Sequence, residues 1–325
     1  MKLRYFGMVI FCCIAIAWPH LVIAQQPTGR VARIGFLIPG SRDAYDDYLS
    51  QFLRGLSDYG KLADRDFVLD VRYADGHLDR LPSLATELVN SKVDVLVVSS
   101  SGAAIAARKA TASIPIVQAS GGDPVASGLA ASMSRPGGNV TGISNRAEDL
   151  SGKALEKLLL MAPNALRVGI LVNTDNPAHE LRLTEMRQAA SAFRIGVVAV
   201  RAPSTGLDQA IAQDNIGALV VLSDGMFLTD RRDIIERVAK ARVPALYQIR
   251  EFVFEGGLMS FGINIGVNYR RSAAFVDRIL KGAKPADLAV ERPSNLELLI
   301  NLKTAKALGI EVPRILLVGA DTVVD

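Results

Sequence analysis

Beyond residue 24 the chain has no cysteine and no tryptophan, and its only histidines there are His77 and His179. Without thiols it can form no disulfide, no thiolate metal site and no cysteine nucleophile, so its stability must come from its core, which a chain of this length can supply. A serine hydrolase needs a histidine base and usually a Gly-x-Ser-x-Gly turn, and that turn is absent. The Walker loop and Gly-x-Gly-x-x-Gly are also missing, which removes nucleotide binding by those routes. His179-Glu180 lacks a second histidine in zinc register, so no metal and no cofactor is expected, and both histidines read as surface residues. Charge of one sign is likewise scarce. The whole chain carries +4, from 37 basic and 33 acidic residues, and loses two of those positive charges if Lys2 and Arg4 are removed. With the signs interspersed, this is not the footprint of a nucleic-acid-binding protein.

The N-terminus is the exception to this evenness. Lys2 and Arg4 precede an apolar run from Tyr5 to Trp18, followed by Val22-Ile23-Ala24 and then polar Gln25-Gln26-Pro27. This is the layout of a secretory signal peptide, with cleavage expected after Ala24. The run falls short of the ~20 residues that cross a bilayer as a helix. Cys12 and Cys13 lie inside it behind the bulky Phe11, which does not make a lipobox. The mature chain is therefore expected to be free in a periplasm, without stable membrane insertion.

Short apolar runs alternate with segments of helical period, the signature of a parallel sheet covered by helices. Ile34–Ile38, Val168–Val172 and Ala218–Leu222 are apolar throughout, and Val93–Val98 is apolar apart from Asp94, as strands buried on both faces must be. Leu49, Phe52, Leu53 and Leu56 mark one face of a helix, and Ile234, Ile235, Val238 and Ala239 mark another. The two halves echo each other. Arg33–Ile38 matches Arg167–Val172, Val95–Ser99 matches Leu219–Ser223, Ile114-Pro115-Ile116 matches Val243-Pro244-Ala245, and Gly60 at a helix end matches Gly196. These pairs imply two similar α/β lobes, doubly wound, with their boundary at Arg135–Asn139. After the signal peptide over 1–24, the echoes by themselves give two lobes, one after the other.

In such sheets ligands bind beyond the C-terminal ends of the strands. From the first lobe, the loops there offer Ser41, then Ser100, Ser101 and Gly102, then Gln118 and Asp123. From the second they offer Asn173, Asp224, Tyr247 and Glu251. Ser99 to Gly102 ends a strand and opens a helix, where free N–H groups can hold an anion, or where a serine serves simply as an N-cap. Asp224 could bind a ligand ammonium through a charge-assisted bond, or cap the turn that follows.

Gly122-Asp123-Pro124-Val125, Arg135 to Gly142, Arg250-Glu251-Phe252 leading to Gly256–Ser260, Leu280 to Leu288, and Ile300 to Gly309 stand out as motif-like stretches. Together they resemble a known family, the substrate-binding proteins of ABC transporters, whose better-studied members are similar to tryptophan- and tyrosine-binding proteins. The resemblance spans nearly all of the mature chain. It implies a type I periplasmic-binding-protein fold, two similar parallel-sheet lobes joined by three hinge crossings, the first at Arg135–Gly142 and another around Glu255–Gly262. This lays the chain out as a first lobe over 25–138, a second over 139–256, a return to the first over 257–292, and a final crossing with completion of the second lobe over 293–325. It also implies a small-molecule solute, amino-acid-like or another carboxylate, captured by lobe closure, and an ABC permease in the inner membrane as partner. A monomer without enzymatic activity is expected. Where many relatives read Gly-Thr-Pro, this chain has Ser100-Ser101-Gly102, so their ligand does not carry over automatically. A sensory module or a periplasmic enzyme acting through Asp224 and Glu251 are the alternatives.

Overall fold

In a computed structural model of the chain, residues 31–145, 150–201, 206–293 and 296–325 are described, and the expected signal segment lies outside them. The first lobe runs β1 (Ala32–Ile38), α1 (Arg42–Asp58), β2 (Phe67–Tyr73), α2 (Leu81–Asn90), β3 (Val95–Val98), α3 (Ser101–Ala110), β4 (Ile116–Gln118) and β5 (Val140–Gly142). Its five strands are parallel, in the order β2-β1-β3-β4-β5. The second lobe runs α4 (Leu150–Met161), β6 (Arg167–Val172), α5 (Pro177–Phe193), β7 (Gly196–Arg201), α6 (Leu207–Gln213), β8 (Ala218–Val221), α7 (Gly225–Thr229), α8 (Arg231–Ala241), β9 (Ala245–Tyr247), α9 (Glu251–Phe254) and β10 (Met259–Ile263). The chain then forms α10 (Ile265–Leu280), which packs on α1 of the first lobe, before β11 (Leu296–Asn301), α11 (Leu302–Leu308), α12 (Arg314–Val318) and β12 (Thr322–Val324).

The second sheet has the order β12-β11-β10-β9-β8-β6-β7, parallel except where β10 meets β11. Read from β7 to β10 it repeats the first sheet, with β6, β8, β9 and β10 in the places of β1, β3, β4 and β5. Three of the four sequence echoes therefore fall on equivalent strands. The fourth does not. Gly60 takes a left-handed φ of 72° after α1, whereas the left-handed residue after α5 is Arg194, φ 57°, and Gly196 opens β7.

Both faces of each sheet are covered, which is why the strands read as unbroken apolar runs. Ile34, Phe36 and Ile38 of β1 face α1 and α10, while Leu37 turns with Leu96 and Val98 toward α2 and α3. Phe36 meets Phe52 edge-on at 5.1 Å and stacks on Tyr269 at 5.7 Å. Burying each such side chain contributes about 1.5–3 kcal/mol.

The crossings lie further along the chain than their glycines suggested. Arg135–Asn139 leads into β5, and Val140 pairs with Ile116 in the first sheet, so the chain leaves that sheet only after Gly142. In the same way β10 sits between β9 and β11, and the return to the first lobe comes at Asn264. Physically, Gly142 and Gly262 are strand residues that let a neighbouring backbone approach. A Cβ at Gly142 would stand 2.3 Å from the Gln118 carbonyl oxygen, and one at Gly262 would stand 2.1 Å from that of Gln248. The last crossing follows a bridge between Ile143 and Glu291, which sets it beside the first.

Candidate ligand cleft

The C-terminal ends of β3 and β8 face one cavity of about 320 Å³, lined from both lobes and from the crossings. On the first-lobe wall Ser100 is the N-cap of α3, its Oγ accepting from the Ala103 N–H at 3.0 Å. Ser101 Oγ accepts from the Gly122 N–H at 2.7 Å. Each hydroxyl oxygen thus satisfies a scaffold donor and keeps its own proton to give. Gln118 shapes this wall from behind, donating through Nε2 to the Gly122 and Ile143 carbonyls.

Asp224 dominates the second-lobe wall, with its side chain only 1% exposed. Its Oδ1 caps α7 by accepting from the Met226 N–H at 2.8 Å and accepts also from Asn173 Nδ2, while Oδ2 accepts from Asn176 Nδ2 at 2.7 Å. These donors leave room for one more on Oδ2. His179 stands 3.7 Å from that oxygen. It is buried, contrary to the surface position expected for it, because the β6–α5 loop needs an acceptor: His179 Nδ1 accepts from the Asn173 N–H at 2.8 Å. The proton is then on Nε2, directed at the Ser223 carbonyl at 3.2 Å. Burial lowers the His179 pKa, and the neighbouring Asp224 only partly offsets this. With both nitrogens tied to backbone, His179 offers a ligand no free base.

Between these polar walls the lining is apolar, with Leu81, Ile105, Leu150, Leu228, Ile249 and Ile265 among its members. Tyr45 and Tyr48 close the hinge side, their hydroxyls kept protonated chiefly by burial and further by the charges of Asp224 and Glu251. Charged side chains on the lining are Lys109, Arg182, Asp175 and Asp224, two of each sign.

Of the residues singled out from sequence, Ser100, Ser101, Gly102 and Asp224 line the cavity. The other six stand elsewhere. Ser41 caps α1 and its N–H donates to Thr229 Oγ1 of the opposite lobe at 3.1 Å. Asp123 caps its own turn and pairs with Arg292. Gln118 and Asn173 support lining residues from behind. Tyr247 is buried against Phe252, ring centroids 4.5 Å apart. Glu251 faces Tyr48 beneath the cleft, and its carboxyl pKa is raised by burial. Ser120, Asn145, Asn176, His179 and Arg182 also line the cavity and carried no motif. The one signal for Asn176 was its position on the loop that follows an apolar strand, and for His179 its place in the first helical turn after that loop.

A family described as ABC transporter substrate binding protein matches residues 33–324. The tyrosine-binding protein of Clostridioides difficile strain R20291 is 27% identical over 264 residues, covering 80% of this chain and 76% of that protein. Among solved structures, the ABC domain in complex with L-Trp from Streptococcus pneumoniae is similar with a TM-score of 0.83 at 24% identity, over 91% of this chain and all of that one. The ligand-free, open structure of a substrate binding protein with adhesive properties from Clostridium difficile has a TM-score of 0.65 at 26% identity, over 90% of this chain and 99% of that one.

Proposed function

The chain belongs to the ABC transporter substrate binding protein family, and from that premise we propose that it captures a free α-amino acid with an apolar or aromatic side chain. The observation that carries this reading is the opposition of two polar walls across one apolar cavity. The start of α3, with the Ser100 and Ser101 hydroxyls, suits a carboxylate. Asp224, with one open site on Oδ2, suits an ammonium. The balanced charge of the lining fits a zwitterion, and the similarity to a tyrosine-binding protein supports the same class. The solute docks on one lobe and favours closure through the other, since a ligand shifts such an equilibrium only by binding the closed state better. The greater likeness to a ligand-bound relative than to an open one supports a closed arrangement here. The mature protein works as a periplasmic monomer, released by cleavage after Ala24, and hands the solute to an inner-membrane permease without a covalent step.

Titration calorimetry with L-tyrosine and its desamino analogue, 3-(4-hydroxyphenyl)propionate, tests this. Asp224→Ala is expected to cost L-tyrosine about 30-fold in affinity, corresponding to a charge-assisted hydrogen bond of about 2 kcal/mol, and the analogue much less. Equal losses for the two ligands, or no binding of any amino acid by the wild type, would sink the assignment.

A further inference from the structure

Resting on that amino-acid reading, we propose that Asn268 and Asn145 are positioning residues that fix the direction of the Ser120 hydroxyl, so that its proton is presented to the solute's carboxylate. Asn268 stands in the first turn of α10 and is fully buried. Its Nδ2 donates to Asn145 Oδ1 at 2.8 Å, and Asn145 Nδ2 donates in turn to Ser120 Oγ at 2.7 Å. The Asn145 backbone N–H donates to the Gly121 carbonyl at 2.7 Å, fastening the crossing to the same loop. Ser120, Gly121, Gly122 and Asn145 all line the cavity, and the bond from Gly122 to Ser101 sets them beside the start of α3.

An amide has one donating and one accepting end, so this relay has a direction. Once Asn145 Oδ1 has accepted from Asn268, only its NH2 can face Ser120. The Ser120 oxygen therefore accepts, and its proton turns to the open side, which is the cavity. The observed polarity leaves Asn268 Oδ1 without a partner among the described residues. Reversal would instead strand a buried NH2, and orphaned donors are the rarer and costlier case. Ser100 and Ser101 have the same character, each oxygen occupied by a backbone N–H. Three hydroxyl protons are thus left for one carboxylate, which can only accept. The relay also has a mechanical setting. Asn145 lies on the first passage between lobes and Asn268 follows the second within one helical turn, so the carboxylate donor is oriented by the segments that flex when the lobes move.

The test compares L-tyrosine with L-tyrosinamide at pH 8 in wild type, Ser120→Ala, Asn268→Asp and the double variant. Aspartate at 268 accepts only, so Asn145 turns its NH2 toward it and offers Ser120 an oxygen, drawing the hydroxyl proton away from the solute. The ratio of affinities for acid over amide is expected to fall about tenfold in Asn268→Asp, the effect of one hydrogen bond to a charged group, and to fall no further when the change is added to Ser120→Ala. Asn268→Leu, which removes the donor without adding an acceptor, is expected to shift the ratio the same way by less. Equal losses on both probes, or additive effects in the double variant, would overturn the relay. If the wild type takes up neither probe, the amino-acid reading falls and neutron diffraction from perdeuterated wild type decides the relay by itself. Deuterons on Asn145 Nδ2 aimed at Ser120 Oγ support it, and a Ser120 deuteron aimed at Asn145 refutes it.

Discussion

His179 is held neutral by hydrogen-bond direction as well as by burial, and the two act together on stability. Protonating it would turn Nδ1 from acceptor to donor against the Asn173 N–H. Its folded-state pKa lies below the ordinary value, so the unfolded chain binds the proton more readily. Stability is then present in full above about pH 6.5 and is lost as pH falls below that. His179→Asn, which can keep an acceptor near the Nδ1 position, should flatten this acid limb while costing little at pH 7.5. His179→Phe should cost about 1–3 kcal/mol there, by stranding the Asn173 N–H. Urea titrations across pH 5 to 8 check both. Glu251 has the opposite sign. Burial raises its folded pKa, and its Oε2 lacks a partner among the described residues, so its contribution is lost as pH rises through the raised value. Glu251→Gln should stabilise the chain at pH 7.5 by about 1 kcal/mol and make no difference near pH 4. Neither role was legible in sequence. A histidine in a charged stretch of helix reads as a surface residue, and Glu251 reads as a loop group open to a ligand, until neighbours distant in the chain bury them. The place of Ser100, Ser101, Gly102 and Asp224 on the cavity wall was legible because each lies within four residues of the end of a wholly apolar strand.

At the scale of elements, the two lobes repeat one solution. Each fifth strand carries a glycine opposite a glutamine on the fourth strand or its end, Gly142 beside Gln118 and Gly262 beside Gln248. The glutamines face their loops, Gln118 Nε2 donating to the Gly122 and Ile143 carbonyls and Gln248 Oε1 accepting from the Ser223 N–H. Gly142 adds a positive φ of 124° to the close approach, so a side chain there is disfavoured twice over. Gly142→Ala is expected to cost about 1–3 kcal/mol, read as a lower urea midpoint with an unchanged slope. Gly282→Ala, whose Cβ would meet nothing within 4 Å, serves as the comparison for backbone strain alone, since its φ of 100° is also positive. The strand order could be anticipated from echoes that fell on strands, because burial on both faces imposes the same apolar run each time. The crossings could not be placed from glycines, because close packing inside a strand and a bend between lobes call for the same residue. Gly60 and Gly196 misled for a related reason, since Arg194 supplies the left-handed turn after α5 without a glycine to announce it.

Over the whole molecule, the two lobes meet directly at the rim of the cleft as well as through the crossings. Gly225, at the start of α7 in the second lobe, lies against Pro39 and Tyr45 of the first, and a Cβ there would stand 2.8 Å from Pro39 Cγ and 3.0 Å from Tyr45 Oη. Beside it the Ser41 N–H donates to Thr229 Oγ1 across the same gap. Under the proposed capture cycle these contacts form only when the lobes come together, so changes here should act on the open–closed balance more than on either lobe's fold. Gly225→Ala is expected to enlarge the radius of gyration of the unbound chain in X-ray scattering and to weaken L-tyrosine binding about tenfold, because apparent affinity scales with the fraction of molecules able to close. Its urea midpoint without ligand should stay within about 0.5 kcal/mol of wild type, as for a substitution outside the core. Thr229→Val, which removes the acceptor for Ser41 without touching the cavity lining, should shift both observables in the same direction by less. A Gly225→Ala protein that scatters like wild type yet binds weakly would mean that the glycine acts on the solute itself, and one that binds normally would mean that the rim contact contributes nothing to closure.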